Sequence, residues 1–360
     1  MTPLRVTFAS FDDDPPQGGQ GVVLRAMRDG LRSRGVHVHT VSGRGRNAIP
    51  YARMTRRPPL DFSLQLNRDR SILYRDEPHL VHAFGGPGGV LIWRRLVVPL
   101  VYTAHHTYRQ AFSRGQVQRI LGPLEAHAYR RAARVLAVSK STADAVLAMG
   151  VPLNRIEVLA NGISLPGVDG VTREPGRLLF VGRLEKEKGV LEAIGVMESV
   201  TRERGETSAF VVGTGRLRDT VATIAEQSGG RITYLGTVDT AQLAHEYARA
   251  SLVLIPSRYE GLGMVALEAQ LSGTPVIGYD VAGLRDAVTD GGVLVSAGDA
   301  RALHDVTLQL LEDEPRRREL GDCGRERVRR EHSWDRAAER LESLYREVAV
   351  APSKNVLDRA

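Results

Sequence analysis

Cysteine occurs once in the 360 residues, at Cys323, so no disulfide can form within the chain and no cysteine-based metal cluster can be built. Lysine is nearly absent: Lys140, Lys186, Lys188 and Lys354 are the only four, and every other basic side chain except histidine is arginine. No apolar run approaches the ~18 residues that cross a bilayer; residues 96–104 reach about half that. The first residues, a short apolar stretch and then three aspartates, lack the form of a cleavable secretory segment. Neither half contains a P-loop, and Gly213-Thr-Gly215 lacks the third glycine of a dinucleotide fingerprint. Aromatic residues make up 5%, and none of the basic stretches interleaves with them as in a nucleic-acid groove, so no nucleic-acid partner is expected. These absences leave a soluble, cytoplasmic globular protein as the expectation.

The chain is too long for one core, and its 42% hydrophobic and 25% charged residues are an ordinary globular balance, so two domains are expected. Charge is uneven. Residues 1–172 carry 23 Lys and Arg against 12 Asp and Glu, giving +11, while the remainder carries 26 against 30, giving −4. Both halves alternate short apolar runs with stretches of helical spacing, the signature of parallel, doubly wound sheets. In the first half, strands are predicted over 4–9, 36–41, 80–83, 100–103 and 135–138, with helices over 22–34 and 116–131. Residues 44–75 show no clean period and read as an irregular loop with at most one short helix. In the second half, strands are predicted over 177–181, 208–212, 232–235, 252–255, 275–278 and 293–295, with helices between them. Two more helices are predicted over 315–330 and 334–348. Residues 161–174 form the linker candidate. The expected architecture is α/β, with two Rossmann-like, doubly wound domains facing across a cleft, and ligands at the carboxyl ends of strands.

The most informative stretch runs from Ile255 to Ile277. An apolar strand ends at Pro256, a turn holds Glu260-Gly261-Leu262-Gly263, and a helix starts near Met264. A helix start with glycines beside it favours a bound anion. Glu260 in the turn and Glu268 in the second helical turn can each accept hydrogen bonds from a polyol. Either glutamate alone would read as a solvated helix residue; the stretch as a whole reads as a site.

This stretch resembles the Glu-x7-Glu element of glycosyltransferase family 4, the retaining, nucleotide-sugar-dependent enzymes of GT-B fold. The resemblance continues in order along most of the chain. Gly18-Gly19 before the first helix resembles the family's N-terminal glycine loop. Val138-Ser139 and Asn161-Gly162-Ile163 resemble its pre-linker segments. Gly182-Arg183 with Lys188-Gly189 resembles its donor-phosphate element, and Gly213-Thr-Gly215 and Tyr234-Leu-Gly236 fall in the expected places. The resemblance implies an N-terminal acceptor-binding domain over 1–168 and a C-terminal nucleotide-sugar-binding domain over 169–333. It also implies a helix over 334–350 packing back on the N-terminal domain, followed by a flexible tail over 351–360.

Carried over residue by residue, the resemblance assigns Arg183 and Lys188 to the donor diphosphate. Two fixed cations there would stabilise the charge that a leaving nucleoside diphosphate develops, without a metal or cofactor. Glu268 would hold ribose hydroxyls and Glu260 the sugar hydroxyls. The main chain of Gly261, Leu262, Gly263 and Met264, with Gly18, Gly19 and Gly213, would complete the donor site. His105, in Val101-Tyr-Thr-Ala-His105-His106, would orient the transferring sugar. His82 reads instead as a core or strand-end histidine.

The implied activity moves a sugar from a nucleoside diphosphate sugar, with UDP the expected nucleotide, to a hydroxyl of a small-molecule or glycan acceptor. The rivals are a nucleotide-sugar epimerase on a related fold, a peripheral-membrane glycolipid glycosyltransferase, and a non-catalytic nucleotide-binding module.

Two charged features stay open at this level. Asp12, Asp13 and Asp14 follow the first strand, and an acidic edge there would favour an amine-bearing acceptor. The arginines between Arg94 and Arg134, with the single acid Glu125 among them, fit a solvated helix face, an acceptor-phosphate site or a membrane-surface patch. No long amphipathic helix with large apolar residues accompanies them, so a membrane partner is less favoured than a small soluble acceptor.

Overall fold

The computed structural model describes residues 3–14, 19–111, 116–168 and 170–349. Gly18 and the tail expected over 351–360 lie outside the described residues. The chain forms two compact units, one of residues up to Gly162 together with those from Trp334 onward, the other Ile163–Ser333. The division falls after Gly162 rather than after residue 168. The indole of Trp334 sits against Gly162, where an added Cβ would lie 2.4 Å from it, so the two ends of the first unit meet there.

The first unit holds β1 (Arg5–Ser10), α1 (Gly19–Ser33), β2 (His37–Ser42), α2 (Pro58–Arg68), β3 (Leu80–Gly85), β4 (Leu100–Ala104), α3 (Tyr108–Ala111), α4 (Gln116–Arg131), β5 (Arg134–Ala137), α5 (Lys140–Leu147) and β6 (Ile156–Val158). Its six strands are parallel, in the order β2-β1-β3-β4-β5-β6. β3 and β4 are buried along their whole length, as expected of strands covered on both faces.

The second unit holds β7 (Arg177–Val181), α6 (Val190–Glu203), β8 (Ser208–Val212), α7 (Arg218–Gln227), β9 (Ile232–Gly236), α8 (Thr240–Arg249), β10 (Leu252–Ile255), α9 (Met264–Leu271), β11 (Val276–Tyr279), α10 (Ala282–Val288), β12 (Gly292–Val295), α11 (Ala300–Glu312) and α12 (Glu314–Glu331). Its strands are also parallel, in the order β12-β11-β10-β7-β8-β9. The final helix, α13 (Trp334–Val348), belongs to the first unit: Leu341, Leu344 and Tyr345 are buried in one cluster with Val23, Leu24 and Met27 of α1.

Five elements differ from the sequence expectation: α2, α5 and α10, and the short α3 and β6. Residues 44–75 contain the eleven-residue helix α2, started by proline in its first turn and anchored by buried Phe62 and Leu66. Its apolar residues Leu60, Phe62, Leu64 and Leu66 fall at every second position, which hides the helical period. α5 is set by Ser139, whose side chain accepts from the Thr142 backbone N–H at 3.2 Å. α10 is too short for a periodic signal.

Each sheet reverses its winding once. In the first unit the reversal lies between β1 and β3, in the second between β7 and β10. In doubly wound sheets the crevice for a ligand opens at such a point, beyond the carboxyl ends of the strands.

Candidate functional site

The sequence-predicted donor residues gather at the reversal of the second sheet. Arg183 and Lys188 lie in the loop after β7, and Glu260 to Gly263 lie in the loop after the adjacent β10. Two glycines make this convergence possible. Gly189, at φ +69°, begins α6 so close to the end of β10 that a Cβ would lie 2.0 Å from the Pro256 carbonyl oxygen. Gly263, at φ +72°, caps the start of α9 in the left-handed region, where a side chain would also press on Leu284 and Ala287. Two helix starts therefore meet at adjacent strand ends, adding partial positive charge to that of the two cations.

The Lys188 ammonium donates to Glu260 Oε1 at 2.7 Å, and both side chains are mostly buried. The ammonium keeps two further N–H donors for a phosphate, and Glu260 keeps its second oxygen for a hydroxyl. Arg183 is exposed and lies 3.8 Å from Glu187. It also interacts with the hydroxyl of Tyr259, whose pKa is raised mainly by burial.

Glu268 accepts a hydrogen bond from the Tyr247 hydroxyl at 2.9 Å. Burial pushes the Glu268 carboxyl up to about 7, while the bond from Tyr247 opposes that rise. Tyr247 itself is fully buried, and its pKa is raised well above the ordinary tyrosine value by that burial and by the Glu268 charge. Sequence reasoning missed Tyr247: it lies on α8, with no local spacing to tie it to α9. The Leu262 side chain is buried, which leaves its main chain for any ligand. Gly213 has a structural reason for its identity, since a Cβ there would lie 1.8 Å from the Gly182 carbonyl oxygen.

In the first unit, Gly19 opens α1, and the next residue, Gln20, donates from Nε2 to the Phe84 and Gly85 carbonyls at 3.2 and 3.3 Å. The start of α1 is thereby tied to the end of β3. His105 follows β4, and its ring stacks at 6.1 Å from Phe84. Burial, with a smaller contribution from His106, pushes its pKa down to about 3, so the imidazole is neutral. Its Nε2 is sealed from solvent without a hydrogen-bond partner among the described residues. His82, by contrast, is a core histidine: fully buried, bonded to Thr103 Oγ1 at 2.8 Å and to the Tyr345 hydroxyl, and stacked on Phe84.

The acidic loop does not present the uncompensated edge expected from the sequence. Asp13 is buried and accepts from Arg28 at 2.8 Å and from the Asn47 side chain at 2.7 Å. Asp12 accepts from Arg44 at 3.0 Å, and Asp14 pairs with Arg25 and Arg46. These carboxylates are neutralised by arginines of their own unit, which removes the reason to expect an amine-bearing acceptor. Among the described residues, no group of three or more His, Cys, Asp or Glu side chains is placed to hold a metal ion, and no helix is long and apolar enough to cross a membrane.

The family profile described as Glycosyl transferases group 1 matches residues 169–327, and that described as Glycosyltransferase Family 4 matches residues 17–165. D-inositol 3-phosphate glycosyltransferase from Xylanimonas cellulosilytica is 32% identical over 314 residues, covering 78% of this chain and 74% of the relative. Glycogen synthase from Mycobacterium tuberculosis is 30% identical over 260 residues, covering 69% of this chain; the match spans 63% of that relative's length. Among solved structures, sucrose-phosphate synthase from Thermosynechococcus elongatus superposes with a TM-score of 0.78 at 21% identity, covering 96% of this chain and 98% of the other. The Anabaena HepE protein in complex with UDP-glucose gives 0.71 at 18% identity, covering 96% and 100%. The two parallel six-stranded units have the GT-B fold, and the chain is a glycosyltransferase belonging to family 4.

Proposed function

We propose that this protein transfers a sugar, with retention at the anomeric carbon, from a UDP-sugar to a hydroxyl of a small-molecule or glycoconjugate acceptor. The observation that carries this reading is the meeting of Arg183, the Lys188–Glu260 pair, Glu268 and two helix starts at the winding reversal of one sheet. Arg183, Lys188 and the helix starts suit a diphosphate, whose negative charge grows as the glycosidic bond breaks. Glu268 suits ribose hydroxyls. Glu260, held by Lys188, suits hydroxyls of the transferring sugar. The UDP-glucose complex of the HepE protein supports UDP as the nucleotide.

Among the described residues, the site's two carboxylates, Glu260 and Glu268, are held by Lys188 and Tyr247, which favours a same-face displacement over a carboxylate nucleophile. The acceptor oxygen bonds to the anomeric carbon as the bond to the diphosphate breaks, and a diphosphate oxygen takes the acceptor's proton. The reading needs no metal, because the arginine and lysine supply the positive charge.

Donor turnover screened across UDP-, GDP- and ADP-sugars, with product anomers assigned by NMR, tests it. A UDP-sugar is expected to be consumed best, giving a product of unchanged anomeric configuration. An inverted product overturns the same-face step. Loss of turnover in EDTA that manganese restores overturns the metal-free reading.

A further inference from the structure

The first unit carries a second charged feature at the other end of its sheet. β4 and β5 begin at Leu100 and Arg134, and beside these amino ends lies a groove of about 510 Å³. Five arginines line it, Arg94, Arg95, Arg131, Arg134 and Arg155, and no carboxylate does. They arrive from four separate segments: the loop before β4, the end of α4, the start of β5 and the turn before β6.

None of the five forms an ion pair among the described residues. The acid nearest in sequence, Glu157, is turned away and held by Arg340 through two bonds of 2.5 and 2.7 Å. The guanidinium hydrogen bonds recorded for the set are those from Arg134 to the Ala133 carbonyl at 3.0 Å and from Arg155 to the Arg130 carbonyl at 3.4 Å. Most of the N–H donors in the groove therefore have no protein acceptor among the described residues. A cation in the last turn of a helix complements the helix dipole, which accounts for Arg131. It does not account for Arg94 and Arg95, which lie on no helix, and Arg155 ends only the three-residue 3-10 turn Leu153–Arg155. Like charges brought together from four segments repel one another unless an anion lies between them.

We propose that this amino-edge groove binds a phosphate-bearing anion. Guanidinium pairs match the oxygens of phosphate in a bidentate way, and the volume exceeds that of a single phosphate, leaving room for an oligophosphate or a phosphodiester head group. The five-residue strand β4 separates the groove from His105 by about 15 Å, so the groove is distinct from the carboxyl-edge chemistry. Val97 and Leu153, which are 54% and 71% exposed and each two residues from a groove arginine, give its surroundings an apolar component that a lipid surface would cover.

The test uses the full chain with Arg183→Ala and Lys188→Ala, which removes the cations of the proposed donor site. Its partner carries Arg95→Glu and Arg155→Glu in addition, both at exposed positions. Each protein is titrated with tripolyphosphate by calorimetry and sedimented with vesicles of phosphatidylcholine, with and without phosphatidylglycerol, at about 0.15 M salt. Saturable tripolyphosphate binding that the charge reversals weaken at least tenfold assigns the groove to a soluble phosphate. Sedimentation that requires phosphatidylglycerol and is lost on charge reversal assigns it to a lipid head group. Absence of both, or binding that the reversals leave unchanged while circular dichroism shows both proteins folded, overturns the proposal.

Discussion

Glu125 offers a sharp physical test of the first unit. The residue is fully buried on α4, accepting from the Tyr108 backbone N–H at 2.9 Å and from the Tyr129 hydroxyl at 3.2 Å. Burial pushes its carboxyl up from 4.5 to about 8, with both hydrogen bonds opposing the rise. Below pH 4.5 the carboxyl is protonated in both folded and unfolded chains, and its contribution to stability is complete. Between 4.5 and 8 the unfolded chain releases the proton that the folded chain keeps, so stability falls by about 1.4 kcal/mol for each pH unit. Above 8 the loss is complete, at about 5 kcal/mol, less whatever water entering with the charge recovers.

Glu125→Gln keeps an acceptor for Tyr108 and cannot titrate. The stability of the variant relative to the parent should therefore rise by about 3 kcal/mol between pH 6 and pH 8.5. Urea unfolding at both pH values, with amide exchange of β3 and β4 peptides reporting on this unit, measures it. Parallel pH profiles for parent and variant would show that Glu125 is already ionised in the folded protein and refute the reasoning.

Four further outcomes follow from the geometry. Arg183→Ala and Lys188→Ala should each weaken nucleoside diphosphate binding by about 1–3 kcal/mol in calorimetry. Since burial raises Glu268 to about 7, nucleotide affinity should fall as pH drops below 7, where protonation removes the better acceptor, and Glu268→Gln should flatten that profile in a calorimetric pH series. Glu260→Gln should lower turnover more than nucleotide affinity, because the contact proposed for it is with the reacting sugar, and a comparison of kcat with nucleotide Kd separates the two. Asp13→Ala should destabilise the first unit by about 3 kcal/mol, leaving buried Arg28 with only the more distant Asp29 at 3.5 Å, while acceptor KM in the surviving folded protein stays unchanged.

The layers, the parallel sheets and most helix positions were legible in the sequence, because strands buried on both faces leave continuous apolar runs and amphipathic helices leave periodic ones. The candidate donor residues could be singled out because they sit in glycine-marked loops directly after strands, where sequence order and spatial neighbourhood coincide. What stayed hidden depends on distant partners. Nothing near Asp13 announces that Arg28 and Asn47 will neutralise it, so three adjacent aspartates read as an open acidic edge. Nothing near Glu268 names Tyr247. Glu125 looked like a lone acid among surface arginines because its burial depends on Tyr108 and Tyr129 closing over it. α2 escaped because its apolar residues fall at every second position, which hides the helical period.

The return of α13 to the first unit has a consequence for how the molecule can be made and cut. Residues 3–162 do not contain the whole of their own core: Leu341, Leu344 and Tyr345, supplied after the entire second unit, complete the packing over α1. During synthesis the second unit can finish folding first, while the first waits with an apolar face uncovered until residues 334–348 have been made. A fragment ending near residue 162 should be sticky and poorly folded, whereas residues 163–333 alone should behave as an autonomous protein. Pieces for separate study are therefore better obtained by joining residues 334–348 to the first unit through a linker than by a single cut.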